Sequence, residues 1–410
     1  MFKNLKEAVA WIEIQLKFKP KSDLERMRHA YHLLDLDITK IKKIHVAGTN
    51  GKGSVCAYLS HILIEEGYKV GTFTSPYLQF FNERIKIQFK DIPDDDLLEL
   101  INWIYAFNVD FEKEYGEFLS FFELLTLMSL IYFKKMNVDV MVMEVGLGGL
   151  LDATNVLNYD LSLITSIGFD HMKQLGNTLE SIAYNKLGIL KKGNHCITTV
   201  DRALHEQFIK HANEVGSTID LYTENNLIKL SDRPLSFTHN HFTYTPSLLG
   251  DYQLLNALLA VKGIHYLFPQ IKNEKINQGL KKTKWAGRLE EIYPSVFLDG
   301  AHNTHAIDAL EVLAKTTFKD QNIWVLFSAL GDKDILGMIS KIKKFSNRVI
   351  LTSFPDQRYQ DLSIYRSDSI EFIENPKDAI AFLRNELKEN EVLLITGSLH
   401  FAGYIKSLVS

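Results

Sequence analysis

The sequence has little cysteine and no surplus of positive charge. Its 410 residues include two cysteines, and 46 lysines and arginines stand against 50 aspartates and glutamates. Because Cys56 and Cys196 are far apart, we expect two buried free thiols in a reducing compartment, not a disulfide framework. The formal net charge of −4 and the lack of a broad basic run argue against nucleic acid as a main partner.

Long apolar runs are also missing. The first residues, Met1–Glu7, lack the apolar core of a secretion signal, and no run reaches the roughly 20 residues that span a membrane. We therefore expect a cytoplasmic protein with no membrane partner. The chain is 46% hydrophobic and 23% charged, which is typical of a globular protein, and its length favours two domains.

Short apolar runs alternate with helical patterns along the first 270 residues. Strands are predicted at residues 41–47, 70–73, 138–144, 161–167 and 195–199. Helices are predicted near residues 5–16, 55–66, 94–107, 118–136, 179–190, 204–215 and 254–267. This alternation indicates a mostly parallel sheet with helices on both faces. The segment 220–244 breaks the rhythm with short strand-like pieces, so we expect an antiparallel patch there.

A second series of strands and helices follows residue 294. Strands are predicted at 296–298, 323–328, 349–352 and 392–396, with helices beginning at Ala306, Ile335 and Pro376. Because this series has enough strands to close a core of its own, we predict two domains, residues 1–294 and 295–410.

The most informative segment is the loop Gly48-Thr49-Asn50-Gly51-Lys52-Gly53-Ser54, which lies between a predicted strand and a predicted helix. Such a loop directs backbone N–H groups at phosphate, a lysine reaches the outer phosphates and a hydroxyl meets Mg²⁺. Gly53 separates Lys52 from Ser54, so the spacing departs from the usual phosphate-binding loop. The alternative is a glycine-rich turn that binds nothing, which does not explain the lysine and serine at these positions.

Polar side chains follow three of the predicted strands. In open parallel sheets, ligands bind at the edge where the carboxyl ends of the strands lie. Glu144 ends a very apolar run, so we favour a Mg²⁺ ligand over a structural ion pair. For Ser75 a cap or turn is as good an interpretation as a ligand, and for His171 a metal site and a structural role are equally weighted. Lys186 lies on an apolar helix, where a solvated lysine is the default interpretation.

The last third of the chain contains two further polar segments. Arg288 lies in Gly287–Glu290, and Asp299 and His302 lie in the loop Asp299–Asn303 after a predicted strand. From the residues alone, turn formation and nucleotide contact are equally good interpretations.

Taken together, these segments resemble the folylpolyglutamate synthase/dihydrofolate synthase family, a branch of the Mur ligases. The loop at residues 48–54 is similar to the phosphate-binding loop of Mur ligases in general. The folate branch is indicated by Thr74-Ser75-Pro76, by Phe81-Asn82-Glu83-Arg84-Ile85 and by Leu151-Asp152-Ala153-Thr154-Asn155. Further matching segments are Phe122-Glu123, Glu144–Gly149, Asp170-His171, Leu175–Thr178, Lys186–Ile189, Gln253 with Asn256, Gly287–Glu290, Asp299–Asn303 and Gly397-Ser398.

The resemblance implies an α/β fold. A phosphate-loop ATPase domain with a parallel sheet would be followed by a smaller Rossmann-like α/β domain that carries the glutamate-ligase part. It also implies ATP and Mg²⁺ as cofactors. The residues implied to hold ATP are Asn50, Gly51, Lys52, Gly53, Ser54, Asn256, Arg288, Asp299 and His302. The implied metal ligands are Ser54, Ser75, Glu144, His171 and Lys186, the last as a carbamate that turns a cation into an oxygen ligand. The implied catalytic residues are Lys52, Glu144, His171 and Lys186.

The implied reaction is ATP-dependent ligation of L-glutamate to a reduced folate or to dihydropteroate through an acyl phosphate. The pterin would be met by the loop at residues 23–26 and by Phe121, Phe122, Glu123, Leu151, Asp152 and Ala153. Leu150 stands where many family members have arginine, which bears on the folate form that is accepted. Two alternatives stay open, another Mur-type amide ligase and a nucleotide-dependent switch. We expect a monomer, since no long uncovered apolar face is evident in the sequence.

Overall fold

The computed structural model describes residues 1–16 and 23–409, which form two compact units. Unit 1 comprises residues 1–167, 171–226 and 256–282, and unit 2 comprises residues 168–170, 227–255 and the chain from 283 onward. Because short stretches of the chain pass from one unit to the other, the division predicted between residues 294 and 295 stays a prediction.

Unit 1 is built on an eight-stranded sheet with the order β4-β3-β2-β5-β1-β6-β7-β8. The six strands from β2 to β8 in that order are parallel, and β3 and β4 add an antiparallel edge. The strands are β1 (Lys42–Ala47), β2 (Val70–Phe73), β3 (Ile85–Ile87), β4 (Lys90–Asp91), β5 (Val140–Glu144), β6 (Leu161–Ile164), β7 (His195–Thr198) and β8 (Thr218–Leu221).

The central strands of this sheet are continuously buried because helices cover both faces. All five residues of β5 and all four residues of β2 and β6 are buried. The helices are α1 (Leu5–Glu13), α2 (Glu25–Leu33), α3 (Lys52–Glu65), α4 (Asp94–Tyr115), α5 (Phe121–Lys135), α6 (Met172–Leu175), α7 (Leu179–Leu187), α8 (His205–Val215), α9 (Tyr252–Leu267) and α10 (Asn273–Lys282). The carboxyl ends of β1, β2, β5 and β6 therefore meet at one edge of the sheet.

Unit 2 contains two sheets. A three-stranded antiparallel sheet has the order β11-β10-β9, and a six-stranded sheet has the order β12-β13-β17-β14-β15-β16 with only β12 antiparallel. The strands are β9 (Ile228–Asp232), β10 (Leu235–His239), β11 (Phe242–Tyr244), β12 (Glu290–Tyr293), β13 (Val296–Leu298), β14 (Asn322–Phe327), β15 (Arg348–Leu351), β16 (Glu371–Phe372) and β17 (Glu391–Thr396). The antiparallel patch expected between residues 220 and 244 is confirmed.

The helices of unit 2 begin at residues with clear start signals. Asn303 caps the first of them through a hydrogen bond from the Ala306 N–H at 2.8 Å, and Pro376 opens the third, where its missing N–H has no consequence. These helices are α11 (Thr304–Lys315), α12 (Ile335–Ile342), α13 (Pro376–Glu386) and α14 (Leu399–Val409). Of these, α11 and α12 pack on a core within unit 2, whose central residues include Ile307, Leu310, Val325 and Leu394.

The predicted fold class is confirmed, with a large parallel-sheet unit and a smaller α/β unit. The expectation for the cysteines also holds, because Cys56 and Cys196 are free and buried. In the described part of the chain no helix is long and apolar enough to cross a membrane. The helices α2 and α10 and the β3–β4 hairpin were not predicted from the sequence.

Candidate functional site

The glycine-rich loop joins the buried end of β1 to the start of α3, as the sequence predicted. Gly51 has a φ of +89°, and a Cβ at this position would lie 2.4 Å from the amide oxygen of Asn256. Gly48 has a φ of +145°, and its Cβ would lie 1.7 Å from the Thr165 hydroxyl. Both positions therefore require glycine, and the loop backbone forms the surface that a phosphate group would meet.

Two lysines reach the same loop. The Lys52 amine donates to the carbonyl oxygens of Gly48 and Thr49, at 3.2 Å in each case. The Lys186 amine, on the buried face of α7, donates to the Gly48 oxygen at 2.8 Å. The structure thus brings Lys186 to the phosphate loop, although from the sequence pattern alone a solvated lysine was the default interpretation.

The far side of the loop is fixed by the segment that follows β6. The Thr165 hydroxyl donates to the Asn50 carbonyl oxygen at 2.6 Å, and the Thr49 N–H donates to the Ser166 oxygen at 2.7 Å. Sequence reasoning missed Thr165, because a threonine at a strand end carries no signal without a known neighbour. These bonds tie the loop to the segment that follows β6.

Glu144 and Ser75 lie together at the same edge of the sheet. Glu144 ends β5, is only 4% exposed, and accepts a hydrogen bond from the Ser75 N–H at 3.0 Å. Burial raises the pKa of the Cys56 thiol on α3, and the charge of Glu144 raises it further while Lys52 opposes the shift. The Glu144 carboxylate and the Lys52 amine thus both influence the pKa of the same thiol, that of Cys56.

The oxygen atoms at this edge suit a hard divalent cation. Ser54, Ser75 and Glu144 offer two hydroxyls and a buried carboxylate, the donor type that Mg²⁺ prefers. Across residues 1–16 and 23–409, no three His, Cys, Asp or Glu side chains come together as a metal site. His171 is exposed, with a φ of +50°, immediately before α6. Its part in binding a metal stays a prediction.

An aromatic region adjoins this edge. A Cβ on Gly146 would lie 2.4 Å from the Phe122 ring, so the ring packs directly on the backbone after β5. Glu123 is buried, and its carboxylate accepts hydrogen bonds from the N–H and hydroxyl of Ser120 and from the guanidinium of Arg26. The main partners of Glu123 are thus within the protein, and its contact with a substrate stays a prediction.

Asp152 is held by a chain of buried groups. Its carboxylate accepts hydrogen bonds from the Leu147 N–H at 2.9 Å and from the Thr154 N–H and hydroxyl at 3.0 and 2.5 Å. The Thr154 hydroxyl also contacts Nε2 of His45 at 2.8 Å. Because the hydroxyl gives its one proton to Asp152, His45 must donate from Nε2. The sequence indicated neither His45 nor Thr154 as part of this arrangement.

In unit 2, Asp299 organises the loop after β13. Its carboxylate accepts hydrogen bonds from the Ala301 N–H at 2.8 Å and the Leu289 N–H at 3.1 Å. Burial raises the pKa of Asp299, and the nearby Arg288 opposes the shift. These bonds bring the two predicted polar segments of unit 2 together.

A second cluster in unit 2 surrounds Asp170. Its carboxylate accepts a hydrogen bond from the Asn303 side chain at 3.1 Å, and Lys333 Nζ and His302 Nε2 lie 3.4 and 3.7 Å from it. His302 itself contacts the Gly300 carbonyl oxygen through Nδ1 at 2.9 Å. Lys333 had no signal in the sequence, since it lies in an ordinary polar turn between β14 and α12.

This fold and loop define a class of protein. Residues 46–262 match the family model of the Mur ligase middle domain, and residues 287–399 match that of the Mur ligase, glutamate ligase domain. The chain is therefore a Mur ligase, an ATP-dependent enzyme that forms amide bonds.

Comparison with individual relatives shows to which family of Mur ligases the chain belongs. The chain is 37% identical to a dihydrofolate synthase/folylpolyglutamate synthase of Bacillus subtilis, over 99% of both chains. FolC of E. coli, solved with DHPP and ADP, has a TM-score of 0.87 at 26% identity and covers 99% of this chain and 98% of its own. The corresponding bifunctional enzyme of Yersinia pestis, complexed with AMPPNP and Mn ion, has a TM-score of 0.86 at 27% identity, over 99% of this chain and 98% of that one. The chain belongs to the dihydrofolate synthase/folylpolyglutamate synthase family.

Proposed function

We propose that this chain uses ATP and Mg²⁺ to join L-glutamate to a folate substrate through an acyl phosphate. The observation that carries the proposal is that Gly51, Lys52 and Lys186 meet at one loop, with Glu144 opposite Val46 on the strand that leads into that loop. Support also comes from relatives whose structures contain ADP or AMPPNP with a Mn ion. No feature of the described residues favours a cell-wall substrate or a switch without ligase activity.

In this proposal the loop and its lysine receive the ATP phosphates. The loop N–H groups and the start of α3 present positive potential, and Lys52 would turn from the Gly48 and Thr49 oxygens toward the outer phosphates. Ser54, Ser75 and Glu144 would hold Mg²⁺, which when bound neutralises charge that develops on the transferred phosphoryl group. Asn256, directly against Gly51, would contact the nucleotide from α9.

Lys186 would serve as an oxygen ligand after reaction with CO₂. Its amine is buried at the loop. As a cation it would repel a metal ion bound there. A carbamate on Lys186 would replace the positive charge by a negative one. His171 would complete the site from the segment after β6.

The folate would lie beside the aromatic region. Phe121 and Phe122 would contact the pterin, with Leu151, Asp152 and Ala153 on its other side and Glu123 nearby. The Asp152 carboxylate is held rigidly by its three hydrogen bonds, which suits recognition of a flat donor-bearing ring. The folate carboxylate would attack the γ-phosphate and release ADP, and the amine of L-glutamate would then attack the carbonyl carbon of the acyl phosphate and release phosphate.

Arg288, Asp299 and His302 are proposed to contact ATP; they lie in the segment 287–399 that matches the Mur ligase, glutamate ligase domain. The cytoplasmic location and the monomeric state remain predictions from composition. Analytical ultracentrifugation of the purified chain would test the second of these.

The substrate is tested by incorporation of labelled L-glutamate, run in parallel with dihydropteroate and with tetrahydrofolate. Incorporation into both identifies a bifunctional synthase, as the name of the Bacillus relative indicates for that protein. Incorporation into tetrahydrofolate alone identifies a polyglutamylating enzyme. Incorporation into neither, with ATP binding intact, contradicts the proposed substrate class.

Lys52→Ala tests the phosphate loop. We expect it to reduce glutamate incorporation by at least about a thousandfold, because the charge that stabilises the transferred phosphoryl group is lost. Circular dichroism should be unchanged, since Lys52 bonds only to loop carbonyls on the surface of the site. The exposed Lys210→Ala of α8 is the matched control. Near-normal activity of the Lys52 variant would refute the assignment.

A further inference from the structure

Arg84 is a buried cation that no step of the proposed reaction uses so far. It ends the 3₁₀ turn Phe81–Arg84 directly before β3 and is only 7% exposed. Its guanidinium carbon lies 4.9, 5.5 and 5.3 Å from the ring centres of Tyr77, Phe81 and Phe121. The aromatic faces stabilise the positive charge but accept none of the in-plane hydrogen bonds that a guanidinium can donate.

The polar groups around Arg84 are engaged elsewhere. Its buried Nε has no hydrogen-bond partner among the residues that the structure describes. Of the carboxylates whose charge reaches it, Glu13 binds the Tyr77 hydroxyl at 2.8 Å and Glu144 binds the Ser75 N–H. The third, Glu83, accepts hydrogen bonds from three successive backbone N–H groups, those of residues 78, 79 and 80.

A buried guanidinium with an unmatched donor is costly unless an anion arrives to meet it. Burial lowers the pKa of Arg84 to about 10, and the group is therefore still charged at neutral pH. The planar guanidinium of Arg84 thus suits an anion with a planar, two-oxygen face, the shape that a carboxylate offers.

The location of Arg84 indicates which anion it would bind. Its carbonyl oxygen accepts a hydrogen bond from the Thr74 N–H at 3.0 Å, which places it beside the segment that leads to Ser75. The charge of Glu144 acts on it from the proposed metal side, and the Phe121 ring lies against it from the proposed pterin side. An aromatic substrate that carries its reactive carboxylate toward the phosphate loop would bring that carboxylate to this place.

We propose that Arg84 binds the carboxylate of the folate substrate that is to be phosphorylated and holds it for attack on the γ-phosphate. The inference rests on the proposed function and adds to it a residue that selects substrates with a carboxylate. The two N–H groups of the fork would direct the oxygens, leaving a lone pair free for the attack. The three rings would keep water from competing for the same donors.

The test is a binding cycle with two ligands and two proteins. Dissociation constants are measured for dihydropteroate and for its analogue with hydrogen in place of the carboxylate. AMPPNP and Mg²⁺ are present, and glutamate is absent. We expect Arg84→Met to weaken dihydropteroate binding by about 10- to 100-fold, the range for a charge-assisted hydrogen bond, and to leave the analogue within about twofold. Arg202→Met, an exposed arginine of unit 1, is the control.

Arg84→Lys is a second variant, used in case Arg84→Met does not fold. It keeps a positive charge between the rings. It should raise the KM for the folate by about tenfold while the KM for ATP stays unchanged, because a lysine lacks the planar fork. If Arg84→Met weakens binding of dihydropteroate and of its analogue equally, Arg84 only supports the aromatic rings, and the inference is overturned. The proposed function would still stand if the wild type incorporated glutamate. A wild-type chain that binds no dihydropteroate and incorporates no glutamate would overturn the proposed function and this inference together.

Discussion

At the scale of single residues, buried polar side chains hold the site in place. The ring of His45 stacks on Tyr159, with ring centres 3.9 Å apart. Its Nε2 donates a hydrogen bond to the Thr154 hydroxyl, which in turn donates to the Asp152 carboxylate. Its Nδ1 is buried without a hydrogen-bond partner in the described part of the chain. A neutral ring leaves only a lone pair there, whereas a protonated ring would leave a buried N–H.

This arrangement predicts how stability depends on pH. Burial lowers the pKa of His45 well below its ordinary value of 6.5, and the charge of Lys191 lowers it further. Below pH 6.5, His45 therefore binds a proton in the unfolded chain but not in the folded chain, and the free energy of unfolding falls as the pH falls. His45→Gln keeps a donor at the same place and does not titrate.

The free energy of unfolding by urea, measured between pH 7.5 and 5, checks this. The stability of the wild type relative to His45→Gln should fall by up to about 1.4 kcal/mol per pH unit below pH 6. Parallel curves for the two proteins over the whole range would contradict a neutral buried His45.

At the scale of elements, the start of α5 depends on one buried ion pair. The Arg26 guanidinium from α2 donates to both oxygens of Glu123 at 3.1 Å, and Glu123 also binds the N–H and hydroxyl of Ser120. The side chain of Glu123 is 1% exposed and that of Arg26 is 11% exposed. The pair thus joins α2 to the helix whose first turn carries Phe121 and Phe122.

Arg26→Met should destabilise unit 1 by about 3 kcal/mol, because it leaves the charge of Glu123 buried without its partner. Arg28→Met on the same helix is the matched control. The side chains of Arg28 and its partner Glu25 are 56% and 66% exposed, so that loss should stay below about 1 kcal/mol. Urea unfolding gives both values, and similar losses for the two variants would argue that the Arg26 pair is worth no more than a surface pair.

At the scale of the whole molecule, each unit has a hydrophobic core of its own. Leu127 of α5 is fully buried in a core cluster of unit 1, and Leu310 of α11 is 1% exposed in the core of unit 2. Truncation of either leucine leaves a cavity that costs about 2–5 kcal/mol.

We expect two separable unfolding events in urea, since each unit can lose its core independently. Leu127→Ala should lower the midpoint of one event and Leu310→Ala that of the other. Hydrogen exchange read by mass spectrometry assigns each event, because peptides from residues 121–135 and from residues 304–315 report on different units. A single transition lowered equally by both variants would show that the units unfold together.

Much of the fold could be predicted because its signals are local. The apolar runs at residues 70–73 and 296–298 became β2 and β13 with the predicted bounds, and α12 and α13 begin at the predicted residues Ile335 and Pro376. The α2 helix was missed because a polar helix with few buried residues lacks a clear apolar period. The β3–β4 hairpin was missed because its strands are only three and two residues long.

By itself the sequence determined the class of the protein and its phosphate loop, since both depend on short segments whose residues act as neighbours in the chain. Only the tertiary structure decided that Lys186 reaches Gly48, that Thr165 fixes the loop and that Arg84 is buried among three rings. The partners in these contacts are far apart in the sequence, or their burial depends on elements that pack from elsewhere. Such contacts come from the order of strands in a sheet, and no local pattern of residues specifies that order.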